Sequence, residues 1–204
     1  MSNLDLNINH TTMKLKTLTV LLLSLFIFQG ITAQKKDSKS ERKDNKEIMA
    51  KAMEVKQMMI EKDDALAEFF DNSEGYVIFP SVGKGGFIVG GAYGRGVVFE
   101  DGMHVGNASL KQLDVGLQAG GKSYSEIIFF ETEEALNKFK DDKFELSAEV
   151  SATIIDEGVA KKAKFKDNIL VMIMPRKGLM VDASIGAQRF DYEKDMNDTR
   201  VSDW

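Results

Sequence analysis

Lys122 and Ser123, two side chains that could hold nucleotide phosphates, close the sequence GLQAGGKS of residues 116–123. This sequence fits the phosphate-loop pattern, in which glycine-rich backbone amides surround the phosphates, the lysine reaches the terminal ones and the hydroxyl holds magnesium. Such a site also needs a helix directly after the loop, because the free amides at the helix N-terminus complete it. The following residues, YSEIIFF, predict a strand instead. We therefore interpret the match as a coincidence and expect no nucleotide to bind.

Other groups that could support catalysis are scarce. His104 is the only histidine after residue 33, and no G-x-S-x-G sequence presents a serine, so we interpret His104 as a surface residue of a hairpin. The acid pairs at 63–64 and 141–142 lie beside predicted helix ends and lack the spacing of a calcium loop, so we expect them to be solvated. The chain has no cysteine, which removes thiol catalysis and disulfides. We predict that the protein is not an enzyme and uses no metal or cofactor.

Residues 1–33 have the pattern of an export signal. A short basic region begins at Met13, the apolar run of residues 18–28 follows, and Ala33 offers a small residue for cleavage. The apolar run is too short to span a membrane, although a permanent membrane anchor is the alternative interpretation. We predict cleavage after Ala33 and an exported protein, either periplasmic or secreted, that can lie peripherally at a membrane.

The charge of the chain is unevenly distributed. The full chain has 27 basic and 32 acidic residues, and removing residues 1–33 leaves 25 and 31, a net charge of −6. Residues 34–46 hold six basic and three acidic side chains, so the rest carries −9. This acidic body argues against a nucleic-acid partner. The basic segment, which we expect to be flexible, suits an anionic membrane surface or is a solvated linker.

The hydrophobic pattern changes from helical to strand-like at Gly75. Between residues 47 and 71 apolar side chains recur every three or four positions, which predicts one helix or two consecutive ones, ended by the sequence NSEG. Further on, period-two alternation predicts strands with one wet face, and continuous apolar runs predict strands buried on both faces. The alternating stretches are 87–93, 146–154 and 181–188, and the apolar runs are 127–130 and 170–174.

One helix interrupts these strands. Thr132 can cap it, acidic residues in its first turn suit the positive end of its dipole, and we expect it to end near Lys140. A parallel doubly wound sheet would need a helix between most pairs of strands, and none is predicted among the first strands. We therefore predict an α+β fold in one domain over residues 47–204. It has an N-terminal helical segment and a curled antiparallel β-sheet, either a sandwich or a partial barrel, with one intervening helix.

Four segments of the chain resemble the SYLF lipid-binding domain family. They are GYVIFPSV with the following GKGGFIVGGAYGRGVVFEDG (75–102), VGLQAGGKSYSEIIFFETEEALNKF (115–139), KFELSAEVSATI (143–154) and RKGLMVDASIGAQRFDYEKDMND (176–198). The resemblance implies binding of membrane phospholipids, phosphoinositides in eukaryotic members, through a basic amphipathic N-terminal segment. It also implies that GLQAGGKS is an ordinary strand and turn. Some eukaryotic members bundle actin, which is an implausible partner for an exported chain.

The resemblance also implies which residues contact lipid. The matching basic positions are Lys35, Lys36, Lys39, Arg42, Lys43, Lys46 and Lys51, with Lys84 and Arg95 as second choices for which we favour a structural role. We predict an exported, non-enzymatic protein that binds anionic phospholipids or phosphoinositide-type head groups through this segment. The alternatives are a structural β-barrel protein of the outer membrane or envelope and, more weakly, a nucleotide-binding hydrolase.

The apolar stripe on the first helix has two possible roles. Its residues are Ile48, Ala52, Val55 and Met59. If the stripe enters the head-group boundary of a membrane, a chain starting near Asp63 keeps its strand-rich fold but loses most of its affinity for anionic vesicles. If the stripe packs on the sheet, the same truncation unfolds the domain.

Overall fold

The computed structural model describes residues 42–86, 89–115, 122–141, 144–147, 152–175 and 187–195. Contacts divide the chain into two compact units, Met1–Lys46 and Glu47–Trp204. In the first unit, residues 42–46 are described; they are helical and expose the side chains of Arg42, Lys43 and Lys46. The second unit holds the sheet.

Several predicted features lie outside the described residues. These are the leader (1–33), the basic residues Lys35, Lys36 and Lys39, the glycine-rich stretch at 116–121 and residues 181–186 of the strand expected over 181–188. They remain predictions.

Three helices and eight strands make up the described fold. In chain order they are helix α1 (residues 42–62), a 3-10 turn (Asp64–Leu66), helix α2 (Ala67–Asn72), strands β1 (Gly75–Gly86), β2 (Val89–Glu100), β3 (Met103–Val115) and β4 (Lys122–Phe130), helix α3 (Glu133–Lys140), and strands β5 (Phe144–Leu146), β6 (Thr153–Ile154), β7 (Ile169–Pro175) and β8 (Gln188–Lys194). The predicted α+β class is confirmed, with strands dominant.

Helix α1 begins earlier than the charge pattern suggests. Residues 42–46, expected to belong to a flexible segment, are helical. Arginine, lysine and glutamate are good helix formers. One turn further along, the Lys51 Nζ donates to the Glu47 Oε1 over 2.7 Å, a pairing that supports helices. The helix therefore fixes the spacing of Arg42, Lys43 and Lys46.

The helical region consists of consecutive pieces, which was one of the two predicted alternatives. α1 ends at residue 62, and Asp63 caps the following turn because its Oδ1 accepts the Ala65 N–H over 3.2 Å. α2 then ends at Asn72, where the sequence predicts the end of the helical region.

The eight strands form one sheet in the order β5-β8-β3-β2-β1-β4-β7-β6. The described neighbours are antiparallel except β6 and β7, which run parallel, so the sheet is mixed where the sequence predicted an antiparallel one. The reason is the segment at 146–154, predicted as one strand. Its first residue, Leu146, ends β5 at one edge of the sheet, and its last two residues form β6 at the other edge, where they pair with β7 in the parallel direction.

The chain between β5 and β6 shows how strongly the sheet curls. The two strands form opposite edges, yet only residues 147–152 connect them. An extended chain spans at most about 25 Å over that stretch, whereas eight flat strands would be roughly 34 Å wide. The rings of Phe79 on β1 and Phe190 on β8 lie 5.6 Å apart although two strands separate them in the sheet. The sheet is thus a half-barrel whose concave face packs on itself.

Two clusters of buried side chains lie on the two faces of this sheet. The concave core joins α3 to the inner face and includes Phe79, Phe130, Phe139 and Phe190. The convex core joins α1 and α2 to the outer face and includes Val55, Met59, Phe70, Tyr76 and Phe129. β4 and β7 contribute to both cores, which confirms the prediction that residues 127–130 and 170–174 are buried on both faces.

The predicted cap and end of α3 are also confirmed. The Thr132 Oγ1 accepts the Ala135 N–H over 3.3 Å, and α3 ends at Lys140 as expected. Asp101 and Gly102 form the turn between β2 and β3 with φ angles of 52° and 72°. Both lie in the left-handed region that a two-residue Asp-Gly hairpin turn requires.

Candidate functional site

The described basic residues of the predicted lipid site lie in different places. Arg42, Lys43 and Lys46 are exposed on the first turns of α1, and Lys51 is exposed one turn later but pairs with Glu47. The backbone of Lys84 lies in β1, paired with Ala92 and Lys122, and Arg95 is a half-buried residue of β2 between Ser81 and Ser109. The structure thus groups three of the predicted residues on one short helical stretch.

The exposed face of α1 changes character after Lys46. From Glu47 onward its exposed charged residues are Glu47, Lys51, Glu54, Glu61 and Lys62, so acids outnumber bases. A membrane-facing helix of the basic amphipathic kind carries lysine and arginine along its polar face. The positive charge of the described helix therefore lies in residues 42–46.

The apolar stripe of α1 packs on the sheet. Ala52 and Met59 are fully buried and Val55 nearly so, all three in the convex core with Tyr76 and Phe129. Of the two predicted roles, the structure places the stripe in the core. The large apolar side chains that α1 leaves exposed are methionines, Met53 at 46% and Met58 at 37%.

Lys56 is a structural lysine that the sequence pattern missed. Its Nζ lies 4.5 Å from the ring centroid of Phe70 and 5.0 Å from that of Tyr76, and it donates to the Tyr76 hydroxyl over 3.0 Å. A lysine over aromatic faces gains from the ring quadrupole. This role could have been inferred from helical spacing, because Lys56 follows the buried Ala52 by one turn and so lies on the same side of α1.

A groove of about 1010 Å³ lies between α1 and the strands. Its apolar lining includes Val55, Met58, Pro80, Ile155 and Met174. The charged residues around it are Lys51, Glu54, Glu61, Lys62 and Asp156, with three acids against two bases. This balance does not favour an anionic head group within the groove.

The predicted strand after GLQAGGKS is confirmed. Lys122 and Ser123 are the first residues of β4, and the Ser123 Oγ lies 3.2 Å from the Ser81 Oγ of the neighbouring strand. A strand offers none of the free amides with which a helix N-terminus binds phosphate. The residues that follow the loop sequence therefore lack the helix that a phosphate site needs.

His104 is more than a surface residue of the hairpin. Its ring is half-buried, the Nε2–H donates to the Gly106 carbonyl over 3.0 Å, and the Nδ1 lies 3.3 Å from the Asp195 Oδ2. These contacts join β3 to the residue that follows β8. We therefore interpret His104 as a residue that holds the chain after β8 against β3.

Asp63 is likewise structural, whereas the sequence suggested a solvated pair with Asp64. Its Oδ1 caps the 3-10 turn, and its Oδ2 accepts the Ala160 N–H over 2.9 Å from a loop far along the chain. Asp64 is exposed, as expected. The position directly before a helical turn was the available signal, because aspartate is a preferred cap there.

A buried polar cluster in the concave core was not foreseen. Glu126 is fully buried on β4, and its Oε2 accepts the Gln188 Nε2–H over 2.9 Å; the same nitrogen lies 3.2 Å from the Gln112 Oε1. Burial raises the pKa of the Glu126 carboxyl to about 7, and the Gln188 hydrogen bond offsets only part of that rise. Among the described residues, the Glu126 Oε1 and Gln188 Oε1 have no hydrogen-bond partner.

Two features of the described residues bear on the class of site. No helix among them has the length and apolar character needed to cross a membrane. Likewise, the described part of the chain holds no group of three or more His, Cys, Asp or Glu side chains arranged to bind a metal ion.

Comparison with known proteins gives two findings. Residues 111–200 match the model of the Ysc84 family, described as Las17-binding protein actin regulator. Beta cell expansion factor A from Aeromonas veronii is 29% identical over 134 residues, which cover 64% of this chain and 50% of that protein. The chain therefore spans about half the length of the curated relative it matches.

The family match covers the end of β3 and every element after it. Three of the four segments that resemble the SYLF family overlap this region, from the strand after GLQAGGKS to the closing Lys-Gly-Leu segment. The resemblance is confirmed over residues 111–200, which match the model of the Ysc84, or SYLF, family.

Proposed function

We propose that the protein is an exported, non-enzymatic protein that binds anionic phospholipid surfaces through its basic N-terminal segment. The observation that carries the proposal is the segregation of charge: residues 34–46 carry +3 and the rest of the mature chain −9. Arg42, Lys43 and Lys46 present this charge from a helix, exposed to solvent. The match of residues 111–200 to the Ysc84 family model supports a lipid-binding or actin-related domain.

The proposed contact is electrostatic rather than insertive. The apolar stripe of α1 is in the convex core, so it is not available to enter a membrane. A lysine or arginine near an anionic surface contributes about 1 kcal/mol. Six such residues can hold the protein at the surface if the acidic body turns away from it.

The test is co-sedimentation of the mature chain with vesicles of phosphatidylcholine containing about one third phosphatidylglycerol. Arg42→Gln, Lys43→Gln and Lys46→Gln together should weaken binding about a hundredfold. The matched control changes Lys111, Lys138 and Lys194 to Gln and should bind almost as the natural chain does. Binding that is unchanged at about 0.5 M salt, which screens such contacts, would contradict the proposal.

A second arm addresses the actin role in the family description. Filamentous actin replaces vesicles in the same sedimentation experiment, with the same two variants. Binding to actin without binding to vesicles would replace the lipid proposal with the actin-related one.

Export is tested separately. The protein recovered from the periplasm or medium of a secreting bacterium should begin at Gln34, since Ala33 suits the cleavage site. Recovery of the full-length chain with the cytoplasmic fraction would refute the export part of the proposal and leave lipid binding untouched.

A further inference from the structure

A cluster of lysines lies within the Glu47–Trp204 unit, far along the chain from the basic N-terminal segment. Residues 159–166, VAKKAKFK, connect β6 to β7, and we call them the lysine loop. Its charged side chains are Lys161, Lys162, Lys164 and Lys166, all exposed. Within the described chain, none of the four has an ion pair or a side-chain hydrogen bond. Among the described residues, their charge is therefore not used in a stabilising pair.

The backbone of the lysine loop is held by hydrogen bonds at both ends. The Lys162 and Ala163 N–H groups donate to the Val159 carbonyl over 2.9 and 3.0 Å, closing a single turn. The Lys166 and Ile169 backbones exchange two hydrogen bonds of 2.9 and 3.0 Å. The loop thus has a defined conformation before any partner arrives.

Side chains anchor the same loop to the body. Val159 is buried, and Ala160, Ala163 and Phe165 pack against the convex core, where the Phe165 ring lies 5.9 Å from that of Phe69. The Asp63 carboxylate accepts the Ala160 N–H. The apolar residues are buried or half-buried and the four lysines are exposed. The fold therefore orders the backbone that carries the four charges before any partner binds.

The charge of the loop contrasts with that of its surroundings. The body from Glu47 onward carries −9, and the four lysines lie within six residues. A long polyanion such as nucleic acid would meet the acidic surface on both sides of so short a patch. A planar anionic surface contacts only the side of the protein that faces it, and each lysine near such a surface contributes independently to the binding free energy. The pattern fits an anionic bilayer better than a polymer.

We propose that the lysine loop is a second contact with anionic phospholipid bilayers, carried by the folded body and independent of the N-terminal segment. This inference rests on the proposed function and deepens it, since it gives the SYLF body itself a face toward the membrane. The loop binds phosphate-bearing head groups through four ammonium groups fixed on one folded segment.

The test uses the full mature chain and the same phosphatidylglycerol vesicles. Lys162→Gln with Lys164→Gln should weaken binding about thirtyfold, at about 0.1 M salt, because each lost contact accounts for about fivefold. The matched control, Lys138→Gln with Lys194→Gln, removes the same charge from exposed positions elsewhere and should change affinity less than about threefold. Circular dichroism checks that both variants are folded.

The outcomes separate this inference from the proposed function. If the variant at Arg42, Lys43 and Lys46 loses affinity while the lysine-loop variant binds normally, the proposed function stands and this inference is wrong. If the control loses as much affinity as the loop variant, net charge and not this surface is responsible, and the inference is again wrong. A loop variant that loses binding to heparin or duplex DNA but keeps its binding to vesicles would also overturn it.

Discussion

The two faces of the half-barrel are packed in different ways. On the convex face the sheet meets helices, and α1 and α2 cover rings such as Tyr76 and Phe129 with apolar side chains. On the concave face the sheet meets mainly itself, with α3 at one side, and there it encloses Glu126, Gln112 and Gln188. Beneath the helices a buried polar group is met singly, as where the Ser125 hydroxyl donates to the Pro80 carbonyl, whereas strands that curl toward one another leave room for a cluster of three polar side chains.

The largest effect should come from removing the cover of the convex face. A chain starting at Asp63 lacks Ala52, Val55 and Met59 and exposes the Tyr76 and Phe129 side of the sheet. Each large apolar side chain contributes about 1.5–3 kcal/mol when buried, so their sum is comparable to the whole stability of a domain. We expect this chain to be unfolded by circular dichroism. A folded, monomeric product would show that the two faces do not differ as described.

The next effect concerns the polar cluster of the concave face and depends on pH. Burial raises the pKa of Glu126 from 4.5 to about 7. Between these two pH values the carboxyl is therefore protonated in the folded state and ionised in the unfolded state. Stability therefore falls as pH rises through this window, by about 3 kcal/mol in total. Glu126→Gln cannot ionise and should be about 3 kcal/mol more stable than the natural chain at about pH 8, with little difference near pH 4.5.

The measurement for Glu126→Gln is urea denaturation at several pH values. Glu145→Gln serves as the control, because that carboxylate is exposed on β5 and its removal should leave the pH dependence intact. A Glu126→Gln variant that follows the same pH curve as the natural chain would mean that the carboxyl is not protonated in the folded state.

A smaller loss of stability should follow from removing the Asp63 carboxylate, which links the helices of the convex face to the lysine loop. Asp63→Ala removes both the cap of the 3-10 turn and the bond to the Ala160 N–H, and we expect a loss of about 1–2 kcal/mol. Asp64→Ala, at the exposed neighbouring position, should cost less than about 0.5 kcal/mol. Equal losses at the two positions would show that Asp63 does not tie the lysine loop to the helices.

Local sequence patterns predict much of this fold, because helix caps and tight turns are determined within single elements. Thr132 caps α3, and Asp101-Gly102 makes a hairpin turn, for reasons contained in a few adjacent residues. The prediction of a single strand over residues 146–154 was wrong, because an alternating pattern does not indicate which strands the two ends of the segment pair with. One end pairs with β8 and the other with β7, a division that only the curl of the whole sheet determines.

The basic residues proposed as the lipid site could be chosen from the sequence by their charge alone. The basic residues at 35–46 are visible in the sequence, and three of them prove to be exposed on a helix. The lysine loop, by contrast, looks like any short run of lysines until its apolar residues are seen anchored in the convex core. Glu126 was missed for the opposite reason, because a charged residue beside a buried apolar run is normally a strand end facing water.

The arrangement of strand lengths across the sheet bears on self-association. The long strands β1, β2 and β3, of 12, 12 and 13 residues, lie inside the sheet, while the described edge strands β5 and β6 have 3 and 2. An exposed edge with many unpaired amides is a template on which another molecule can add a strand. Where β8 extends past β5 it carries Asp191, Glu193 and Lys194, charges that oppose such addition. The long, glycine-rich strands therefore lie at the centre of the described sheet, where their amides pair with neighbouring strands.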